Sequence, residues 1–356
     1  MIIALFRNYI TALMKISYKP FELTLKHPFT IAKFSRTSTP ILLMEIKHDG
    51  FTGFGEASMV PYMGENMETA ASFMSKVDLS WLKAPFDFDE VVDYLDNIAP
   101  GNPNIKAAID IALHDLKGKI ENKACYKFFG TDPSKMPETS YTLGIDIPEV
   151  LIQKIKEGEH CHIIKVKLGR DNDKELINTI RSATDKPLFV DANQGWSDKQ
   201  KGLDMVHWLH EQGVVLIEQP MAKDDPDSNA WITERSPIAI VGDESVQRFA
   251  DVEKAKGVYH AINVKLMKSG GMYEGHRMIT KAKELGMKVM IGCMSETSCA
   301  TLAAAALAPL CDWADLDGPF LTSNNPYKDP DFKDGKWVLN DDPGLGIRFS
   351  QTLSGL

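Results

Sequence analysis

Ile163-Ile164-Lys165-Val166-Lys167-Leu168, Leu188-Phe189-Val190-Asp191, Val214-Val215-Leu216-Ile217-Glu218 and Ile238-Ala239-Ile240-Val241-Gly242-Asp243 are four apolar runs that each carry charge at or near the far end. Each is short enough for a buried strand, and helical patterning follows it. The unit repeats on both sides. Tyr141-Thr142-Leu143-Gly144-Ile145 precedes these runs. Ala261-Ile262-Asn263-Val264-Lys265, Val289-Met290-Ile291-Gly292 and Trp313-Ala314-Asp315-Leu316-Asp317 follow them. Strands recurring every ~25 residues predict an α/β fold, a TIM-type (β/α) barrel over residues 138–321. It is modified: seven β/α units and then a last strand.

Outside that segment the texture changes. From Met14 to Glu56 the chain alternates as strands do, in Lys15-Ile16-Ser17-Tyr18 and Ile41-Leu42-Leu43-Met44-Glu45-Ile46, with a turn at His48-Asp49-Gly50. Ile105, Ala108, Ile109, Ala112, Leu113 and Leu116 then share one helical face. An α+β capping domain is expected over 14–137, with the tail 322–356 returning to it. Residues 1–13 read as a loose extension or an early start, since the charged Arg7 interrupts the apolar run that a signal peptide needs.

The 356 residues carry a net charge of −9 and are 44% hydrophobic. No basic stripe suits nucleic acid and no apolar run suits a membrane. Cys125, Cys161, Cys293, Cys299 and Cys311 are scattered, without a CxxC pair, which fits reduced thiols in the cytoplasm. The composition is compatible with a homo-oligomer.

The charges at the strand ends carry the chemistry. Asp191, Glu218 and Asp243 end consecutive strands and converge at the barrel mouth. Carboxylates so placed repel one another unless a cation lies between them, and an all-oxygen set suits Mg²⁺. The plain alternative is a set of helix N-caps. Lys165 and Lys167 are two apart, so both face the interior; counterions for the carboxylates are the alternative. Lys265 lies four strands away, across the ring. Lys268 falls out of phase and is expected in solvent. Asp315 and Asp317 repeat the two-residue spacing with acids. An inward acidic pair suits a substrate ammonium; a helix cap or a partner for a nearby Arg is the alternative. No GxSxG, HExxH or phosphate loop is present, and Ser269-Gly270-Gly271 reads as a turn. His114, His162, His207, His210 and His260 read as surface or packing residues.

Lys165-Val166-Lys167, Asp191-Ala192-Asn193-Gln194-Gly195-Trp196, Ile217-Glu218-Gln219-Pro220, Gly242-Asp243-Glu244-Ser245 and Asn263-Val264-Lys265-Leu266-Met267-Lys268-Ser269-Gly270-Gly271, with Gly53-Phe54-Gly55-Glu56 before them, resemble the muconate-lactonizing subgroup of the enolase superfamily. Asp315-Leu316-Asp317 is similar to the Asp-x-Asp motif by which the subgroup's dipeptide epimerases hold an N-terminal ammonium. The resemblance implies Mg²⁺ on Asp191, Glu218 and Asp243, and Lys167 and Lys265 on opposite faces of the α-carbon. One would remove the proton, through an enediolate, and the other would return it. Lys165 would assist. Thr142, Cys293 and Ser295, at strand ends, and Phe34, in a covering loop, join Asp315 and Asp317 as expected substrate contacts. Phe34 stands where members specific for Ala-Glu place an Arg, so an L-Ala-X dipeptide with apolar X is expected; Lys33 and Arg36 are the substitutes for that Arg. N-acylamino acid racemase, o-succinylbenzoate synthase and cycloisomerase are the alternatives within the subgroup.

Overall fold

The structure, a computed structural model, describes residues 14–31, 34–60 and 63–350. The expected extension 1–13, Lys33 in the covering loop and positions 351–356 of the tail lie outside the described residues.

Strands β1 (Lys15–Thr30), β2 (Ser35–His48) and β3 (Phe51–Ser58) form an antiparallel sheet in that order. Helices α1 (Met67–Met74), α2 (Phe88–Ile98) and α3 (Pro103–Ile120) share a core with it. All six residues of the helical face read from the sequence are fully buried there, from Ile105 to Leu116. Strand alternation explains the Gly-Phe-Gly-Glu run. Gly53 and Gly55 face α3 so closely that a Cβ on either would come within 2.0 Å of a helix carbonyl oxygen. Phe54 and Glu56 therefore face the other way. The Phe54 ring meets Tyr327 and Phe349 of the tail, and Glu56 reaches the barrel.

The barrel strands are β4 (Ser140–Leu143), β5 (Ile163–Lys167), β6 (Leu188–Asp191), β7 (Val214–Glu218), β8 (Ala239–Gly242), β9 (Ala261–Lys265), β10 (Lys288–Gly292) and β11 (Trp313–Asp315). They form one parallel sheet in chain order, and a bridge between Thr139 and Ala314 joins its ends. Around it run α4 (Pro148–Glu157), α5 (Asp173–Arg181), α6 (Lys199–Glu211), α7 (Pro226–Arg235), α8 (Phe249–Ala255), the short α9 (Leu266–Ser269), α10 (Met272–Glu284) and α11 (Ser298–Ala305). The single turn α12 (Gly318–Leu321) and the small hairpin of β12 (Phe332–Lys333) and β13 (Lys336–Trp337) follow. Ser269 closes α9, and Gly270 and Gly271, at φ 78° and 126°, make the turn into α10.

Inside the barrel, Phe189, Leu216, Val241, Ala261 and Met290 form a buried apolar plug. Two residues further along four of these strands, on the same face, stand Asp191, Glu218, Asp243 and Asn263. The charges thus rest on a dry floor, which strengthens every interaction between them. Ile164 and Val166 face outward into the helix core, as the alternation around Lys165 and Lys167 requires.

The cap closes on the mouth through its first hairpin. Ile145 N donates to the Thr30 carbonyl (2.9 Å), and Arg170 donates to the Ile31 carbonyl (2.9 Å). The Ser58 hydroxyl donates to the Ser295 carbonyl (2.8 Å). Tail residue Ser323 donates its N–H to the Thr24 carbonyl (2.9 Å).

Candidate active site

A cavity of about 640 Å³ opens between the hairpin and the C-terminal ends of the barrel strands. Thr142, Lys167, Asp243, Lys265, Cys293, Ser295, Asp315, Asp317 and Phe34 all line it. Asp191, Glu218 and Lys165 lie beneath, fully buried.

The carboxylates of Asp191, Glu218 and Asp243 each offer an oxygen within 4.8 Å of the others. They are not N-caps. Asp191 and Glu218 are strand residues, and the side chains that cap α6 and α7 are Asp198 and Asp225. Lysines partner them instead. Lys167 donates to Asp191 (2.7 Å), Lys265 to Asp243 (2.7 Å), and Lys165 to both Glu218 and Asp315 (2.6 Å each). A buried set of oxygen donors, without His or Cys, fits a hard divalent cation such as Mg²⁺.

The field at the mouth follows from these pairings. Burial and the neighbouring Asp191 push the Glu218 carboxyl up to about 7, against the pull of Lys165. Burial also opposes ionisation of Asp191 and Asp243. For Asp191, Lys167 and Lys165 outweigh it; for Asp243, Lys265 and Lys268 do, so both carboxyls sit below their usual range. Burial alone would discharge Lys165, but Asp315, Glu218 and Asp191 together hold it well above its ordinary value. These carboxylates favour the ammonium form of Lys165.

The acidic pair on the last strand is asymmetric. Asp315 is already engaged, accepting from Lys165 and from the Ser140 hydroxyl (2.7 Å). Asp317 accepts from the Thr142 N–H (2.6 Å), and its other oxygen lies 3.9 Å from the Cys293 sulfur. Burial and the Asp315 charge push the Asp317 carboxyl up to about 6.

One placement overturns the sequence reading. Lys268 is not solvated; it is 2% exposed. It donates to the Asp243 carboxylate and to the carbonyls of Asp243 (2.7 Å), Asn263 (2.9 Å) and Val246 (3.0 Å). Strand phase does not apply to it, because α9 begins at Leu266 and its single turn swings residue 268 back toward Asp243.

Two further residues stand at the site: Asn263, which escaped the sequence reading, and Arg36, which the sequence offered as a stand-in for the missing Arg. Asn263 donates to Glu218 (2.7 Å) and orients it; its two-residue spacing from Lys265 was a usable signal. Arg36 lines the cavity, donates to the Ser295 hydroxyl (2.7 Å) and lies over the rings of Phe29 and Phe34. Its position opposite Phe29 in the hairpin register puts it there. The histidines stay outside the cavity. His114 is buried and stacked on Phe88, with ring centroids 3.7 Å apart, and His260 accepts from Ile240 N (3.1 Å).

Comparison with known families agrees with this arrangement. Residues 15–130 match the model for the mandelate racemase / muconate lactonizing enzyme N-terminal domain, and 150–353 match the enolase C-terminal domain-like model. The chain belongs to the mandelate racemase / muconate lactonizing enzyme family of the enolase superfamily. Within this family it is 51% identical to the L-Ala-D/L-Glu epimerase of Bacteroides thetaiotaomicron, over 94% of this chain and 88% of that one. It is 32% identical to the hydrophobic dipeptide epimerase of Enterococcus faecalis, over 92% and 96%. A crystal structure of dipeptide epimerase from Enterococcus faecalis, complexed with Mg and L-Leu-L-Tyr, superposes with a TM-score of 0.86 at 29% identity, covering 95% of this chain and all (100%) of that one. A substrate-liganded L-Ala-D/L-Glu epimerase from Bacillus subtilis gives 0.87 at 25% identity, over 94% and 98%. Among the described residues no helix is long and apolar enough to cross a membrane.

Proposed function

We propose that this chain is a magnesium-dependent epimerase of L-Ala-X dipeptides, acting at the α-carbon of the second residue. The observation that carries the reading is the joint presence, in one cavity, of two lysines on opposite sides of the ring and an acidic anchor at Asp317. The epimerases named among its relatives support it. Racemisation of acylated amino acids needs the lysines but has no use for the acidic anchor, so that alternative is the weaker one.

Asp191, Glu218 and Asp243 would hold the magnesium, which when bound neutralises the charge that develops on the substrate carboxylate as the α-proton leaves. Asp317 holds the substrate ammonium, with Asp315 adding field from behind Lys165. Held at both ends, the dipeptide presents its α-carbon between Lys167 on β5 and Lys265 on β9. One lysine, neutral, takes the α-proton and becomes an ammonium. The other, as an ammonium, gives a proton to the opposite face and becomes neutral. The centre is inverted and no net proton is consumed. Lys165, its ammonium beside Asp315, stabilises the carbanion without exchanging a proton. The hairpin closes over the mouth and excludes water. The five cysteines stand free, in keeping with a cytoplasmic setting.

The second side chain would lie beneath the hairpin. Phe29, Ile31, Phe34 and Leu321 favour an apolar X there, whereas Arg36 supplies the cation that a glutamate side chain needs. We read the pocket as taking both, with Arg36 deciding for Glu. Proton exchange in deuterated water with a library of L-Ala-L-X dipeptides tests the reading, and no exchange with any of them would end it. Arg36→Met should cut kcat/KM for L-Ala-L-Glu by roughly 10–100-fold, the worth of a charge-assisted hydrogen bond. It should leave L-Ala-L-Leu within about threefold. Equal losses on both would remove Arg36 from specificity.

A further inference from the structure

Gln219 directly follows Glu218 at the end of β7, and nothing in the proton-transfer reading employs it. Its side chain is fully buried. The amide oxygen accepts from the Asp243 N–H (3.0 Å), the Ser245 N–H (3.2 Å) and the Ser245 hydroxyl (3.1 Å). The amide nitrogen donates to the Met221 carbonyl (3.1 Å) and to the Tyr259 hydroxyl (3.0 Å). The Ser245 and Tyr259 hydroxyls lie 2.7 Å apart, which closes the network. The Gln219 main chain takes part too. Its N–H donates to the Val241 carbonyl (2.9 Å), and its carbonyl accepts from Gln194 N (2.8 Å). The loops after β6, β7 and β8 are thereby gathered onto one residue, and those are the strands that bring Asp191, Glu218 and Asp243.

The backbone there is under strain. Asn193, Gln194 and Gln219 have φ of 46°, 61° and 40°, in the left-handed region that side chains disfavour. Such a residue is unfavourable on its own and persists only where its surroundings over-determine it. The Gln219 network is that surrounding. Magnesium binds in a narrow, near-octahedral geometry at ~2.0–2.1 Å, so small errors in the spacing of its ligands weaken it disproportionately.

We propose that Gln219 is a positioning residue that sets the placement of Asp243 relative to Glu218, and through it the affinity for magnesium. The proposal rests on the reading of Asp191, Glu218 and Asp243 as the metal ligands. Groups that orient metal ligands typically contribute about 10–100-fold to affinity. Gln219→Met keeps the length of the side chain and removes all of its hydrogen bonds.

The test is calorimetric titration of Mg²⁺ into the metal-free full chain, wild type beside Gln219→Met and Ser245→Ala. Gln219→Met is expected to bind about 10–100-fold more weakly while unfolding cooperatively, and saturating Mg²⁺ should restore most of kcat. Ser245→Ala removes part of the network, so it should weaken binding less, in the same direction. It carries the test if Gln219→Met does not fold. Wild-type affinity in a folded Gln219→Met, or in Ser245→Ala where that is the variant available, overturns the proposal. So does a kcat that saturating Mg²⁺ leaves low at unchanged affinity. A wild-type chain that binds no Mg²⁺ overturns the metal reading itself, and this proposal with it.

Discussion

Lys167 and Lys265 share one chemistry but not one partner, since Asp191 holds the first and Asp243 the second. Each should serve one stereoisomer. Lys265→Ala should lower epimerisation by at least about a hundredfold, the usual worth of a positioned acid or base. Deuterium exchange from one epimer should survive on Lys167, and Lys167→Ala should preserve exchange from the other. Nuclear magnetic resonance of each pure epimer in deuterated water reads both. Normal epimerisation by Lys265→Ala would refute the assignment. Lys268 would then be a poor substitute, because its ammonium is spent on Asp243 and neighbouring carbonyls.

The Asp pair also divides unequally. Asp315 is paired with Lys165, so Asp317 should carry most of the ammonium binding. Asp317→Asn should reduce kcat/KM for a free dipeptide by roughly 10–100-fold and barely change it for an N-acylated amino acid. The pH dependence has a definite sign. The Asp317 carboxyl is pushed up to about 6, so it is ionised above that pH and neutral below. kcat/KM for the dipeptide should therefore fall as pH drops through about 6, and Asp317→Asn should abolish that limb. An unchanged acid limb in the variant would show that another group sets it.

Among the elements, β3 joins the two halves of the molecule. One side, Gly53 and Gly55, admits α3; the other, Glu56, accepts from Thr297 N (2.7 Å), the Thr297 hydroxyl and Ala300 N (3.4 Å) at the start of α11. That loop also carries Ser295, which Ser58 and Arg36 grip. Gly55→Ala would set a methyl against the Ala108 carbonyl and force α3 away. A loss of about 1–3 kcal/mol is expected, the range for overpacking. Thermal unfolding of the metal-free chain measures it, and an unchanged Tm would show that α3 yields at no cost.

Across the whole molecule, the site depends on a cation that the apolar plug and the carboxylates together make room for. Exhaustive EDTA treatment should abolish turnover, and Mg²⁺ should restore it. Because the ligands come together only in the folded chain, Mg²⁺ at about 100 times its Kd should also add ~2.7 kcal/mol of stability. A Tm indifferent to Mg²⁺, or full turnover after EDTA, would rule the mechanism out.

The strand-by-strand placement of Asp191, Glu218, Asp243, Lys165, Lys167 and Lys265 was legible without coordinates. Strands impose a period of two and a parallel barrel sends every C-terminal end to one mouth, so identity and phase suffice to predict convergence. The roles of Lys268 and Gln219 were not legible, and Arg36 was legible only as one of two stand-ins for a missing Arg, without its place in the cavity. Lys268 leaves strand phase where α9 begins, Arg36 reaches the cavity through the pairing of the cap hairpin, and Gln219 acts by bonds to loops up to 40 residues away in the chain. Local period carries no information about such partners. They depend on which loops the closed barrel brings together, and that is settled by packing between segments that are remote in sequence.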